Sequence, residues 1–144
     1  MFNSEEYYKL IRYSVQVLDV ELVELYCKKN KRGNLGDSRE ISLKISREVG
    51  EVSDEILDVY LAVKLTGPDE FFDIELVYKG ICRNLDKKLN EELFKEYAYN
   101  QIVPLLLPYA RECISNTLAR MQLPIYLIPT MDVLQTIEEN KQSE

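Results

Sequence analysis

Residues 105–129 read LLLPYARECISNTLARMQLPIYLIP, and the rest of the chain is interpreted around this stretch. Its apolar opening ends at Pro108, a residue suited to the first turn of a helix because its missing N–H would have no partner there. Apolar residues then recur at spacings of three and four, which predicts an amphipathic helix with the stripe Ala110, Ile114, Thr117, Leu118 and Met121. Residues 123–129, here called the crossover segment, carry no charge. They are too apolar for an ordinary surface loop, so we expect them to be covered.

Length and composition indicate one domain that works in the cytoplasm. A chain of 144 residues with 46% hydrophobic residues can build a single core, so we expect one domain over residues 1–144. The net charge of −7 argues against a nucleic-acid partner. No apolar run approaches the roughly 18 residues of a membrane span, and the first residues lack the features of a signal peptide. Three widely spaced cysteines fit a reducing compartment.

Alternating apolar and polar residues predict four strands between about residues 13 and 82. Residues 41–46, 57–65 and 72–78 alternate cleanly. Residues 13–26 change phase twice, which a bulged strand explains, although a helix over this stretch is an alternative. Short turns between the strands predict an antiparallel meander. One face of this sheet is expected to be buried, and the other to be exposed to solvent and acidic. Residues 1–12 fit either a short helix or the start of the first strand.

Two or more helices are predicted to follow the strands, within about residues 87–140. Residues 86–98 have apolar side chains at helical spacing, and a final helix is expected after Pro129, with Thr130 as its N-cap. Strands that precede helices in this way predict the α+β class, with a four-stranded antiparallel sheet and its helices packed on one face.

The sequence lacks the residues that most catalytic and metal sites need. It contains no histidine, no cysteine pair with metal-ligand spacing and no phosphate-binding glycine loop. We therefore expect neither an enzyme nor a cofactor or metal. Aromatic and aliphatic residues outside the strands suggest instead a surface that binds another chain, although each of them could also be ordinary core.

Residues 108–115, PYARECIS, resemble SecB, the family of bacterial protein-export chaperones. Arg120, Pro124, Leu127 and Pro129 follow at the family's spacings, and residues 54–65 and 72–81 resemble its third and fourth strands. The resemblance implies a sheet backed by two helices and a homo-oligomer built as a dimer of dimers. It also implies binding of unfolded preproteins, which are passed to the SecA motor, without nucleotide or metal.

The same resemblance assigns roles to particular residues. The implied client-binding groove comprises Leu105, Leu106, Leu123, Ile125, Tyr126 and Leu127. The implied tetramer contact is the helix stripe Ala110, Ile114, Thr117 and Met121. The implied SecA contacts are Asp19 and Glu75. Met121 stands where the family commonly has glycine, so two alternatives are kept: a SecB-like chaperone dedicated to one partner such as an antitoxin, or a SecB-fold oligomer without chaperone activity.

Overall fold

Four strands and one long helix make up the part of the chain that the computed structural model describes. This part covers residues 14–30 and 41–124, together with Asn3, Glu5, Glu6 and Lys9, the last three of which are helical. The elements are β1 (Val15–Lys29), β2 (Ser42–Val49), β3 (Ile56–Thr66), β4 (Phe72–Asn84) and α1 (Glu91–Arg120). The predicted α+β class, with a four-stranded antiparallel sheet and helical packing on one face, is confirmed. The helix predicted after Pro129 lies outside the described residues.

The strands lie in the order β1-β4-β3-β2, and all neighbouring strands are antiparallel. The predicted meander is therefore right for β2, β3 and β4 but wrong for β1, which pairs with β4 instead of β2. Strand length gives the physical reason, since β1 has 15 residues and β4 has 13, whereas β2 has 8. Pairing the two longest strands satisfies more backbone N–H and C=O groups than pairing β1 with β2. Consequently β1 and β2 form the two edges of the sheet.

One face of the sheet packs against α1 and is called here the helix-covered face. Its buried residues include Leu57, Val59, Leu61, Val63 and Leu65 on β3 and Phe72, Ile74 and Leu76 on β4. Gly80 allows the helix to approach the sheet closely. A Cβ atom at Gly80 would lie 3.1 Å from Val59 Cγ2 and 3.5 Å from Leu106 Cδ2. The side chain of Leu106 therefore rests over a glycine, where the sheet offers the most room.

Two bulges interrupt β1, as the two phase changes in its sequence predicted. Its pairing with β4 shifts between Val17 and Asp19 and again between Leu22 and Glu24. The alternative of a helix over this stretch is wrong. Each bulge inserts one residue and so returns the following apolar residues to the helix-covered face. The residues kept on that face are Val15, Val17, Val20, Leu22 and Leu25, which pair with Asn84, Cys82, Gly80, Tyr78 and Leu76.

α1 is a single helix of 30 residues that continues through Pro104 and Pro108. The prediction of two helices, with an apolar segment before Pro108, is wrong, because residues 105 and 106 lie in the middle of α1. An internal proline costs about 3 kcal/mol, since it removes a backbone hydrogen bond and crowds the preceding turn. Burial offsets this cost. No residue from 97 to 107 is exposed, and complete burial of one Leu or Ile side chain contributes roughly 1.5–3 kcal/mol.

The end of α1 is a Schellman motif that uses glutamine where glycine is usual. Gln122 has a left-handed backbone with φ of 58°. Its N–H donates to the carbonyl of Ala119 at 3.1 Å, and the N–H of Leu123 donates to the carbonyl of Leu118 at 3.0 Å. Leu118 and Leu123 are both buried in the core. This motif turns the chain out of the helix just before Pro124.

We expect Gln122→Gly to raise the free energy of unfolding by about 0.5–1 kcal/mol, because glycine adopts a positive φ without the steric cost of a Cβ atom. Urea denaturation followed by circular dichroism measures the change. Ala119→Gly is the control inside the same helix, and we expect it to lower the free energy of unfolding by about 1 kcal/mol. A loss of stability in Gln122→Gly would contradict the left-handed geometry at this position.

Candidate functional site

An apolar groove runs between β1 and the second half of α1. Leu22 and Leu25 form the β1 wall, and Tyr109 stands on the α1 wall. These three side chains expose 41%, 45% and 45% of their surface. Tyr78 of β4 lies between the walls, with its ring centroid 6.0 Å from that of Tyr109. We call this surface the β1–α1 groove, and its residues are Val20, Leu22, Leu25, Tyr78, Leu105 and Tyr109.

A cavity of about 420 Å³ lies at one end of the groove, beside the first bulge of β1. Its lining consists of Val17, Leu18, Asp19 and Val20 from β1 and Leu105 and Tyr109 from α1. Ligand pockets in proteins commonly enclose about 300–1,000 Å³. The cavity is therefore large enough to receive a bulky side chain of a bound segment, and Asp19 is the one charged residue of its lining.

β1 is exceptionally apolar for a strand at the edge of a sheet. Eight large hydrophobic side chains are exposed in the described residues, and five of them are on this strand: Leu18, Leu22, Val23, Leu25 and Tyr26. Contiguous apolar surface on a folded protein marks a site of interaction with another chain. Unpaired strand edges have the same tendency, because their N–H and C=O groups can pair with a further strand. The groove and the edge of β1 therefore suit the binding of extended, apolar chain.

The floor of the groove is uncharged at neutral pH. Burial, followed by the neighbouring Cys113 and Glu112, raises the pKa of Tyr78 to about 12. The phenol therefore stays protonated and able to donate a hydrogen bond. Burial, with a smaller contribution from Asp58, also raises the pKa of Cys82 to about 12. That thiol is consequently an inert part of the core, because the thiolate is the reactive form.

Solved structures with the same arrangement of strands and helix identify the architecture. The SecB-like chaperone Rv1957 of Mycobacterium tuberculosis, solved in complex with a ChAD peptide from the Rv1956 HigA1 antitoxin, aligns with a TM-score of 0.69. The alignment covers 90% of this chain and 96% of that chain, at 14% sequence identity. The fold is SecB-like. A protein of unknown function from Streptococcus agalactiae aligns with a TM-score of 0.50 at 10% identity, over 81% of this chain and 97% of that chain. No protein-family model and no curated protein matches the sequence.

The SecB-like fold separates the residues that were predicted to bind clients. Leu105 is half-buried and lines the β1–α1 groove. Leu106 is completely buried over Gly80, so it presents no surface to a client. Leu123 is buried at the end of α1. The remaining three predicted residues lie outside the described part of the chain: Ile125, Tyr126 and Leu127.

Sequence reasoning did not assign Leu22, Leu25 or Tyr109 to the groove. The two phase changes of β1 were the available signal, because they keep five apolar residues of an edge strand on one face. Nothing in the sequence shows that α1 leaves two of them uncovered. That outcome depends on the line along which the helix crosses the sheet.

The stripe predicted to make the tetramer contact belongs to the core of the SecB-like fold. Ala110, Ile114 and Thr117 are buried within the chain, and Met121 is half-buried. A tetramer contact through this stripe stays a prediction, and the burial of three of its four residues leaves little of it accessible to another subunit. Half of the positions exposed on the same part of α1 are polar or charged. The exposed positions are Pro108, Tyr109, Glu112, Asn116, Ala119 and Arg120.

The two predicted SecA contacts share the face of the sheet opposite α1, but they lie far apart. Asp19 pairs with Ile81, whereas Glu75 pairs with Tyr26. Six residues of β4 separate these two levels, a distance of about 20 Å at the rise of an extended strand. An Oε1 to Nζ distance of 3.2 Å joins Glu75 to Lys64 in an ion pair. The opposite face therefore carries partly neutralised carboxylates instead of a uniform acidic surface.

The described residues were also examined for metal-binding clusters and for helices that could span a membrane. They contain no group of three or more His, Cys, Asp or Glu side chains that could hold a metal ion. None of their helices is long and apolar enough to cross a membrane. That the protein works without a metal stays a prediction.

Proposed function

We propose that this protein is an ATP-independent chaperone that holds extended, apolar segments of unfolded proteins in the β1–α1 groove. The exposure of Leu22, Leu25 and Tyr109 on facing walls carries the proposal. A segment that removes about 300 Å² of apolar surface from water gains roughly 7 kcal/mol. Lost chain freedom offsets much of this gain, so a single groove binds weakly. Several grooves on one assembly would bind one client more tightly by avidity.

The assembly that we propose is a dimer of dimers, with a two-fold pairing of β1 strands as its first step. The outer edge of β1 has no partner strand in the described sheet. The other edge is protected, because β2 is short and carries Lys44, Arg47 and Glu48. With one edge suited to pairing, two copies close into a dimer instead of growing into a filament. The burial of Ala110, Ile114 and Thr117 within the chain weakens the case for the α1 stripe as the contact between two dimers.

Transfer of preproteins to SecA is one fate that we propose for the client. Asp19 and Glu75 are the contact candidates. Glu75 belongs to the face opposite α1, whereas Asp19 also lines the cavity at one end of the groove. The ion pair between Glu75 and Lys64 weakens this case, because less uncompensated negative charge is left for a basic partner.

A chaperone dedicated to one partner is the second candidate function. The observation that favours it is the aligned SecB-like chaperone, which was solved with a peptide from an antitoxin. Such a protein would bind one cognate segment tightly and generic unfolded chains poorly. A SecB-fold oligomer without chaperone activity is the third possibility.

The test is to dilute a denatured, aggregation-prone protein into buffer with increasing amounts of this protein, without ATP, and to follow light scattering. The mass of the oligomer is measured on the same sample. We expect scattering to fall to a plateau near one oligomer per client. A well-folded oligomer that leaves scattering unchanged would overturn the general holdase. Tight binding of a single antitoxin segment by that same sample would then identify the dedicated chaperone.

A further inference from the structure

Two tethers hold the walls of the β1–α1 groove at a set distance. At one end, Leu105 and Tyr109 of α1 line the same cavity as Val17 and Val20 of β1. At the other end, β1 finishes at Lys29 and α1 finishes at Arg120. The first link is indirect, because Val17, Val20 and Leu105 all pack against the hydrophobic core. The second is a single polar contact made by Lys29.

Lys29 reaches across from β1 to the last turn of α1. Its Nζ donates a hydrogen bond to the carbonyl oxygen of Met121 at 3.4 Å. The same Nζ lies 5.6 Å from the centroid of the Phe71 ring, within the range of a cation–π contact. A cation is favoured at this place, because the unpaired carbonyls at the end of a helix carry partial negative charge.

The backbone on both sides of this contact is firmly placed. Next to Lys29, the N–H of Asn30 donates to the carbonyl of Phe71 at 2.7 Å, and its Nδ2 donates to the carbonyl of Glu70 at 2.6 Å. On the helix side, the Schellman motif at Gln122 orients the carbonyl of Met121. A short link between two fixed ends sets the distance between them. Lys29 therefore spans the open end of the groove without lining it.

We propose that Lys29 is a positioning residue for client binding, and that it acts by holding the end of α1 against the end of β1. This inference rests on the proposed function of the groove. Without the ammonium group, the last turn of α1 keeps its cap and the core packing of Leu118 and Leu123 but loses its polar contact with β1, and the walls that carry Leu25 and Tyr109 are held together less firmly.

The experiment compares Lys29→Met, Lys29→Arg and Lys28→Met with the natural protein. Methionine keeps an apolar stem of similar length, and arginine restores a donor and a charge. Lys28→Met makes the same charge change on the opposite face of β1, because successive strand residues point to opposite faces. The probe is fluorescein-labelled, reduced and carboxymethylated α-lactalbumin, which stays unfolded, and its anisotropy gives the dissociation constant.

We expect Lys29→Met to raise the dissociation constant about threefold to fivefold, the effect of one charge-assisted contact at a helix end. Lys29→Arg is expected to restore binding and Lys28→Met to leave it unchanged. Hydrogen exchange adds a readout without client, in which the amides of Gln122 and Leu123 exchange about threefold faster in Lys29→Met alone.

Unchanged binding in Lys29→Met, or an equal loss in Lys28→Met, would overturn the positioning role while leaving the chaperone function in place. Faster exchange with unchanged affinity would show that Lys29 holds the helix end without setting the groove, and would also overturn the inference. Failure of the natural protein to bind the probe would refute the proposed function itself. It would also refute the positioning role of Lys29, which depends on that function.

Discussion

Leu106→Ala is expected to lower the free energy of unfolding by about 3 kcal/mol, the typical cost of removing a fully buried leucine side chain. Leu106 is 0% exposed. Its Cδ2 atom lies over Gly80, where the sheet has no side chain that could move into the space left behind. The cavity would therefore persist, and the neighbouring atoms would lose their contacts as well as the burial of the leucine.

Urea denaturation at one fixed protein concentration measures this effect, because assembly couples stability to concentration. Leu93→Ala in the first turn of α1 is the matched control. Its side chain is 37% exposed, so we expect a loss of less than about 1 kcal/mol. Equal losses in the two variants would show that Leu106 is not a core residue. At temperatures where Leu106→Ala is folded, we expect its client binding to stay within about twofold of the natural protein.

The double substitution Leu22→Thr and Tyr109→Ser is expected to raise the dissociation constant for an unfolded client at least tenfold, because each truncation removes apolar contact worth about 1 kcal/mol. These side chains stand on opposite walls of the β1–α1 groove. More than half of each side chain is buried and Tyr109 packs on Tyr78, so the free energy of unfolding is expected to fall by about 2 kcal/mol, and binding is compared on folded samples. Threonine suits a strand and serine is tolerated in a helix, so secondary structure is preserved.

The measurement is anisotropy of the same labelled, unfolded α-lactalbumin, with the oligomer mass determined on each sample. Val23→Thr combined with Tyr26→Thr is the control on the same strand. These residues are 48% and 49% exposed. Val23 is the inserted residue of the second bulge, and Tyr26 pairs with Glu75 on the face opposite α1. If the control raises the dissociation constant as much as the groove variant does, the client binds to exposed apolar residues on both faces of β1. The groove assignment is then wrong.

The neighbours Leu105 and Leu106 show which part of the candidate site could be predicted from the sequence. The resemblance to SecB implied client binding for both, along the apolar run before Pro108. The structure places the Leu105 side chain in the groove and the Leu106 side chain in the interface between α1 and the sheet. The two differ because successive residues of a helix point about 100° apart. The sequence could not make this distinction while the run was taken as a segment outside the helix.

α1 is the element for which local signals were most misleading. Pro108 predicted a helix boundary, and its intrinsic cost supports that expectation. The core on which α1 packs involves β3 and β4 as well, so the burial that outweighs the prolines cannot be seen in a local window of sequence. The local pattern likewise did not show that Ala110, Ile114 and Thr117 are buried within the chain. A helix pattern shows an apolar side but not which surface covers it.

The sequence by itself indicated the α+β class, the presence of four strands and the irregularity of β1. These features depend on side-chain periodicity and turn residues, which act over a few neighbouring positions. Only the tertiary structure decided that β1 pairs with β4, that α1 continues through two prolines, and that Leu22, Leu25 and Tyr109 stay uncovered. Strand pairing and helix placement join residues far apart in the chain, and their energies depend on contacts that exist only when the whole sheet has formed.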